Sequence, residues 1–292
     1  MVCGHRSARQ IGGTEANFWR LTCAAVLLGL WAYGHGVGTA GEAFPVFALS
    51  GMVGIGIGDL AMFLALPRLG SRLSLLLVEC LSAPFGAFIE WLWLGTSLSA
   101  AQLGFGATIL AGVGLALKPG KQRRRASKGL ILGSSFCVLS ALATAFGAVL
   151  SRKAYAIAEA AGPPLDGGNA AFQRVLGGLL VAGLCLLAAK RPEFRAQAGT
   201  PRRLLNAAAK EKWRRVWPWI VLNGLAGQTL GVSCMQWALR TTPTGIVLAI
   251  IAVTPIVAIP LALVAERERP TRLSLLGGAV AVAGVVALTL SR

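Results

Sequence analysis

The sequence has few of the charged residues that cover the surface of a soluble protein. Only 13% of its 292 residues are charged, whereas 55% are hydrophobic and the mean hydropathy is +0.67. Soluble globular domains carry about 25% charged residues. The composition therefore excludes an ordinary soluble domain and predicts a polytopic membrane protein.

Histidine and the common reaction motifs are also scarce. The two histidines are His5 and His35, and the chain contains no HExxH, no CxxC and no GxxxxGK[ST] pattern. These patterns mark zinc enzymes, thiol or metal centres and nucleotide-binding loops, respectively. We therefore expect no enzymatic activity, no catalytic residue, no metal and no cofactor, and primary active transport by this chain is not indicated.

Acidic residues are outnumbered by basic ones, 11 against 28, which makes the formal net charge +17. Such a charge can attract nucleic acid. Here, however, the basic residues cluster between long apolar runs, as the positive-inside rule predicts for loops on the cytoplasmic side of a membrane. We therefore expect a lipid bilayer as the partner and no nucleic acid.

Nine apolar runs predict nine transmembrane helices, since about 20 residues at roughly 1.5 Å each cross a hydrocarbon core of about 30 Å. Residues 1–17 form a polar N-terminal segment without such a run. The fifth helix has no breaker before Gly162 and is free to continue through Ala158. The predicted helices are 18–38, 44–66, 73–94, 100–117, 130–150, 170–189, 216–239, 245–265 and 273–290.

The loop charges predict the orientation. The basic segments 118–128 and 190–215 are separated by two predicted helices and so face the same side. If that side is the cytoplasm, 23 of the 28 Lys and Arg residues are inside. We predict a multi-pass protein of the plasma (inner) membrane with a cytoplasmic N-terminus and an outside C-terminus. Residues 202–215 suit either a surface helix or a solvated loop.

The helices repeat along the chain. An offset of 154 residues aligns Arg20 of the first helix with Arg174 of the sixth, and an offset of 172 relates the fourth helix to the ninth. An offset of 173 places three glycines of the second helix on three of the seventh: Gly51, Gly54 and Gly58 on Gly224, Gly227 and Gly231.

Helices one to four therefore repeat as helices six to nine. Because five helices separate equivalent positions, the repeats are inverted, as in many secondary transporters. The predicted fold is an all-α integral membrane protein with a four-plus-five arrangement. Its parts are a first repeat at 18–117, a basic cytoplasmic linker at 118–128 and a second repeat at 129–292.

The C-terminal pattern resembles the EamA-type drug/metabolite transporter superfamily. Pro255 lies in the penultimate helix, Glu268 precedes Pro270 and Thr271, and the last helix is spaced with glycines. The resemblance covers nearly all of residues 16–290. It implies ten helices in two inverted five-helix repeats, with small metabolites or drugs moving through a central cavity.

The chain departs from that family pattern in three ways. It lacks the first helix, which helps to line the cavity in the family, and we expect a misassigned start codon to account for this. It has Thr96 where the second repeat has Glu268. Its charge bias also places the C-terminus outside, whereas the family usually keeps it inside.

We expect a secondary transporter, an exporter or exchanger of a small metabolite or drug that works by alternating access and is coupled to protons. The alternative is a membrane partner or scaffold that has lost transport with the missing cavity wall. The sequence does not indicate which solute is transported. A homo-oligomer is possible.

Two carboxyl groups, Asp59 and Glu79, lie in the middle of predicted helices. Ionisable groups at this depth are costly, so each is a candidate for the substrate or ion pathway, able to bind and release a proton. The structural alternative is that each carboxyl is satisfied by a neighbouring helix or a basic residue.

The other pathway candidates lie in the second, seventh and eighth predicted helices, and most of them are polar. Polar residues also form contacts between membrane helices, which is the structural alternative. The candidates are Met62, Asn223, Gln228, Thr229, Ser233, Trp237, Thr254 and Pro255. Two GxxxG pairs, Gly54 with Gly58 and Gly227 with Gly231, predict close helix packing.

Overall fold

The computed structural model describes residues 2–94, 99–117, 127–162, 165–196, 202–242, 244–252, 254 and 272–291. Every regular element within these ranges is a helix, in agreement with the predicted all-α class. The predicted turn at 266–269, Pro255 and most of the predicted helix 245–265 lie outside the described residues.

The described helices follow the nine predicted spans. Two spans, the second and the seventh, contain a π-helical stretch between two α-helices. The elements in chain order are α1 (Val2–Ile11), α2 (Gly13–His35), α3 (Phe44–Gly51), π1 (Met52–Asp59), α4 (Leu60–Leu69), α5 (Ser71–Leu94), α6 (Ala100–Leu117), α7 (Ser127–Ala161), α8 (Gly167–Ala196), α9 (Arg202–Asn223), π2 (Gly224–Gly231), α10 (Val232–Thr241), α11 (Thr244–Ile251) and α12 (Arg272–Leu290).

Helix α1 is an element that the polar composition of the N-terminal segment did not indicate. Its ten residues rise roughly 15 Å, about half of a hydrocarbon core. The helix packs against α9, α2 and α4, and His5, Ser7 and Ala8 are buried. A short amphipathic helix of this kind depends on its neighbours rather than on a long apolar run.

Two glycines make the abrupt turns that keep α1 and α4 separate from the helices that follow them. Gly12, between α1 and α2, has a φ of 89°, and Gly70, between α4 and α5, has a φ of 82°. Side chains with a Cβ rarely adopt this left-handed region, so glycine suits both turns.

The packing pairs helices from the two halves of the chain. Helix α2 packs against α8, α6 against α12, and α5 against α11. The α6–α12 contact is made by backbone, since a Cβ on Gly112 would lie 2.5 Å from the amide nitrogen of Ala281 and 2.8 Å from the carbonyl oxygen of Gly277. Small residues allow this approach, which side chains would prevent.

The outward surface is apolar, as expected for helices that face lipid. Leu30, Ile131, Leu187 and Leu290 are each more than 60% exposed. Within the described residues, four helical segments are long and apolar enough to cross a bilayer, and two more apolar helices are shorter. The four are Phe44–Leu69, Leu73–Trp93, Gly129–Ala161 and Gly167–Lys190, and the two are Gly104–Ala116 and Leu275–Leu288.

Two arginines that the charge count assigned to opposite sides of the membrane lie inside the protein. Helix α2 begins at Gly13 and α8 at Gly167, before the predicted starts, so Arg20 and Arg174 are each the eighth residue of their helix. They are 5% and 3% exposed. The charge count placed Arg20 on the inner side and Arg174 on the outer side, but as buried residues of helices neither is a loop charge.

The segment before the seventh span is helical. Helix α9 runs without interruption from Arg202 into the span and ends at Asn223. The residues 202–215 therefore extend the membrane helix and form neither a separate surface helix nor a loop. The proline at 218 does not end the helix, as is common where neighbouring membrane helices surround it.

Candidate functional site

A buried ion pair joins α2 to the end of π1. Arg20 Nη2 lies 2.6 Å from Asp59 Oδ2, and the two side chains are 6% and 23% exposed. Arg20 also donates through Nε and Nη2 to Asn17 Oδ1, at 3.0 and 2.8 Å. The ring of Phe63 lies with its centroid 4.6 Å from the guanidinium carbon. The Arg20 guanidinium therefore donates hydrogen bonds to oxygen atoms and makes a cation–π contact with an aromatic ring.

Asp59 also connects the two π-helical stretches. It is the last residue of π1, and its Oδ2 accepts a second hydrogen bond, of 2.8 Å, from Nε2 of Gln228 in π2. In π2 the Thr229 hydroxyl donates to the Gly224 carbonyl five residues earlier, at 3.1 Å. Such stretches are rare and occur frequently at functional sites. We call Arg20, Asn17, Asp59 and Gln228 the Asp59 cluster.

The cluster is deep in the membrane part of the fold. Asp59 is the sixteenth residue of the span Phe44–Leu69, which has 26 residues. Since each residue rises about 1.5 Å, Asp59 lies near the middle of that span. An ion pair with an amide donor at this depth is suited to binding a polar solute or an ion.

Several of the predicted pathway residues lie within about three turns of the cluster. Met62 is buried one turn beyond Asp59, and Ser233 is buried at the start of α10. Asn223 and Thr229 are half-buried. A Cβ on Gly4 of α1 would lie 3.2 Å from Asn223 Nδ2, so α1 approaches the cluster side of the seventh span.

Glu79 is the second predicted carboxyl, and it lies on α5. It is partly exposed and interacts electrostatically with Asp59. Among the described contacts, Glu79 makes no hydrogen bond and no ion pair. Asp59 is thus paired with Arg20, the arrangement that the structural alternative foresaw, whereas no partner of Glu79 is found within the described residues.

Trp237 lies beside the start of α8, at one end of that helix, and not in the Asp59 cluster. It is 48% exposed, and its Nε1 donates to Asp166 Oδ1 at 2.6 Å. Asp166 Oδ2 accepts from Trp31 Nε1 at 2.7 Å and from the backbone N–H groups of Gly168 and Asn169 at 3.0 and 3.2 Å. Asp166 therefore caps α8 and ties it to α2 and α10.

The environment of Asp166 stabilises its ionised form. Burial by itself raises the pKa of this carboxyl, but the four hydrogen bonds outweigh burial and bring the pKa below its ordinary value of 3.8. Because all four donors favour the carboxylate, Asp166 holds the three helix ends together throughout the neutral range.

The remaining two pathway candidates, Thr254 and Pro255, belong to the predicted penultimate helix 245–265. Thr254 is exposed, and its hydroxyl donates to the carbonyl oxygen of Ile251. Pro255 lies outside the described residues. Their predicted place on a substrate pathway stays a prediction.

The two GxxxG pairs differ in their surroundings. A Cβ on Gly54 would lie 3.0 Å from Arg174 Nη2 and 3.5 Å from the Cα of a glycine on α7, and one on Gly58 would lie 3.3 Å from Ala143 Cβ. By contrast, Gly227 and Gly231 are exposed, and the neighbours found for them belong to their own helix. The first pair thus lies in a helix contact, and the second does not do so within the described residues.

Arg20 and Arg174 occupy equivalent places on two helix crossings. A Cβ on Gly51 of α3 would collide with the carbonyl oxygen of Arg174, and a Cβ on Gly224 of π2 would lie 3.0 Å from the carbonyl oxygen of Arg20. The repeat alignment pairs these glycines and these arginines, and it was the available signal for both sites. We found no comparable sequence signal for Asp166.

Residues 1–118 and 131–290 match the EamA-like transporter family. The chain belongs to this family. Its members are membrane transporters of small molecules, so the apolar helices are those of a multi-pass EamA membrane protein. The matched residues begin at position 1 and so include α1.

A solved structure titled "Crystal structure of protein" has a similar fold to this EamA protein. It has a TM-score of 0.67 and 15% sequence identity, over 99% of this chain and 91% of that chain. At this identity the likeness concerns the fold alone. No curated protein matches the chain.

Proposed function

We propose that this EamA protein is a secondary transporter that exports or exchanges a small metabolite or drug by alternating access. The observation that carries the proposal is the Asp59 cluster. Its carboxylate accepts hydrogen bonds from Arg20 in the first half of the chain and from Gln228 in the second half. A mid-membrane polar site shared by two halves is where such transporters bind substrates.

The architecture proposed with it is a pair of inverted repeats, 18–117 and 129–292, joined by the basic linker 118–128. Its support comes from related positions in space. Each arginine is the eighth residue of its helix, and each crosses a glycine of the other half. The two π-helical stretches also occur at related places, since an offset of 173 overlays them to within one residue.

Helix α1 supports transport over the scaffold alternative. The scaffold alternative rested on a missing cavity wall. Helix α1 packs against α9 of the seventh span, as α7 packs against α3, π1 and α4 of the second span. The place of the leading helix is thus partly filled by residues of this chain.

We also propose coupling to protons through Asp59 and Glu79. The Glu79 carboxyl has no protein partner among the described residues and interacts electrostatically with Asp59. A proton that binds to Glu79 removes one negative charge beside the Asp59 cluster, and this change can be used to alternate the affinity for solute. We propose no chemical change in the solute and no nucleic-acid partner.

The proposed setting is the plasma (inner) membrane, with the N-terminus in the cytoplasm and the C-terminus outside. Its support is the distribution of loop charges. Without the buried Arg20 and Arg174, 22 of the remaining 26 Lys and Arg residues lie on the proposed inner side. A homo-oligomer stays a prediction.

The test is solute-driven proton movement in proteoliposomes. Purified full-length protein is reconstituted with a trapped pH dye, and amino acids, nucleosides and amines are added one at a time. We expect at least one solute class to change the internal pH only when protein is present. Glu79→Gln should remove the proton movement, and Asp59→Asn should lower solute uptake at least tenfold.

Glu15→Gln is the matched control, because Glu15 is paired with Lys190 at 2.9 Å near the start of α2 and lies outside the cluster. It should transport like the unmodified protein. Solute movement that ignores a pH gradient, and that Glu79→Gln and Asp59→Asn leave unchanged, would remove proton coupling from the proposal. No movement of any solute in the panel would remove transport itself.

A further inference from the structure

Arg174 is the repeat-related counterpart of Arg20, but within the described residues its guanidinium has no acceptor. It is 3% exposed, its Nε is buried without a hydrogen-bond partner, and the described contacts contain no hydrogen bond or ion pair of its guanidinium. Arg20, by contrast, binds Asn17 and Asp59. A buried cation without an anion is unfavourable, so this difference calls for an explanation.

The sequence supplies the difference in acceptors. The offsets that align the repeats place Ala171 where the first half has Asn17, and Val232 where it has Asp59. Neither side chain has an oxygen. Among the described residues, the negative charge that acts on Arg174 comes from Asp59, which is already hydrogen-bonded to Arg20 and Gln228.

Two further buried polar groups, on α10 and α7, have no hydrogen-bond partner among the described residues. Gln236 takes the place in α10 that Phe63, the ring beside Arg20, takes in α4, and neither of its amide atoms has a hydrogen bond although the residue is 0% exposed. The Tyr155 hydroxyl is also buried without a partner and lies within electrostatic range of Arg174. Helices α7 and α8 both pack against α10, which brings these elements together.

We propose that Arg174, with Gln236 and Tyr155, binds the oxyanion group of the transported solute, a carboxylate or a phosphate. A guanidinium presents paired N–H donors that match both groups. An amide and a phenol add neutral donors. The proposal rests on the proposed transport function and deepens it, because it assigns the class of solute.

Two glycines, Gly51 and Gly54, allow the Arg174 guanidinium to lie in the interior of the protein. A Cβ on Gly51 would collide with the Arg174 carbonyl, and one on Gly54 would lie 3.0 Å from Arg174 Nη2. These glycines let α8 approach α3 and π1 closely enough to place the guanidinium in the interior. Because the guanidinium is shielded from solvent, a solute reaches it when the halves move, as alternating access requires.

The experiment is a thermal-unfolding assay on the purified full-length protein with paired compounds. Phenylalanine is compared with phenethylamine, which lacks the carboxylate, and glycerol 3-phosphate with glycerol. We expect the carboxylate or phosphate member to raise the unfolding midpoint in a saturable way, and its partner to have no effect. The two pairs distinguish a carboxylate site from a phosphate site.

Arg174→Gln should weaken the apparent affinity by about 10- to 100-fold, the change expected for a lost hydrogen bond to a charged group. Arg174→Lys should retain part of it. Arg9→Gln, which removes an exposed positive charge on α1, is the control and should bind normally. Equal binding by Arg174→Gln and Arg9→Gln, or no effect of any anion, would overturn the proposal.

Val232→Asp covers the case in which Arg174→Gln fails to fold. This substitution would give Arg174 a carboxylate partner, as Asp59 does for Arg20. The unfolding midpoint without an added anion should therefore rise, and an added anion should raise it no further. Unchanged anion binding in Val232→Asp would contradict the proposal. Anion binding without transport would sink the proposed function alone, and transport of cations or neutral solutes that Arg174→Gln leaves intact would sink this inference alone.

Discussion

Gly51→Ala should destabilise the protein, because it adds a methyl group where two helix backbones touch. The added Cβ would lie well within 3.0 Å of the carbonyl oxygen of Arg174, a distance that real Cβ atoms essentially never show. The atom it meets is backbone and cannot rotate away. Helices α3 and α8 must therefore separate along their crossing, and Arg174 must move with α8.

The size of the effect follows from overpacking. Extra methyl groups in a packed core cost about 1–3 kcal/mol, and a backbone collision belongs at the upper end of that range. Alanine also favours helix over glycine by about 1 kcal/mol. Gly34→Ala in α2 has the same helix gain, and a Cβ there meets nothing within 4 Å. The difference between the two variants isolates the collision, and we expect about 2–3 kcal/mol.

The assay is reversible unfolding by SDS in mixed micelles, followed by tryptophan fluorescence, for the unmodified protein and both variants. Gly224→Ala provides an intermediate case, because its Cβ would lie 3.0 Å from the Arg20 carbonyl. We expect the free energy of unfolding to be highest for Gly34→Ala, lower for Gly224→Ala and lowest for Gly51→Ala. If Gly51→Ala were as stable as Gly34→Ala, the close crossing of α3 and α8 would be refuted.

Two further predictions concern the cap at Asp166 and the orientation in the membrane. Because the folded pKa of Asp166 is below 3.8, its stabilising contribution is fully present above about pH 4 and is lost as the pH falls through the folded pKa. An acid titration of unfolding should show this loss in the unmodified protein and not in Asp166→Asn, which should already be destabilised by about 0.5–2 kcal/mol; identical titrations would contradict the capping role. For orientation, alkaline phosphatase fused after residue 292 should be active in cells and a fluorescent protein fused there dark, and the reverse result would invert the topology.

The spans and their order could be predicted from the sequence because apolar runs of about 20 residues usually form helices that cross a bilayer. The second span illustrates this, since the predicted 44–66 became the helical run Phe44–Leu69. The π-helical stretches could not be predicted, because the hydrogen-bond shift from i→i+4 to i→i+5 leaves the apolar pattern almost unchanged. Helix α1 was missed for a related reason, as ten residues carry too weak a periodic signal.

The candidate site was predicted in part. Asp59 and Gln228 were both singled out as polar residues at bilayer depth, and the structure joins them by a hydrogen bond of 2.8 Å. Trp237 was grouped with them because it follows on the same helix, but it faces outward and binds Asp166. Position along one helix does not determine which of its faces meets the other half of the chain.

The sequence alone indicated that this chain lies in a membrane and resembles the EamA transporters, and it predicted a repeat of its helices, because hydropathy and glycine spacing are local properties. The repeat alignment even paired Arg20 with Arg174. Only the tertiary structure decided that Arg20 has a carboxylate partner, whereas Arg174 has none among the described residues. The partner of a buried charge is set by side chains on other helices, 39 residues away for Arg20 and Asp59, and no local pattern records which of them arrive within hydrogen-bonding distance.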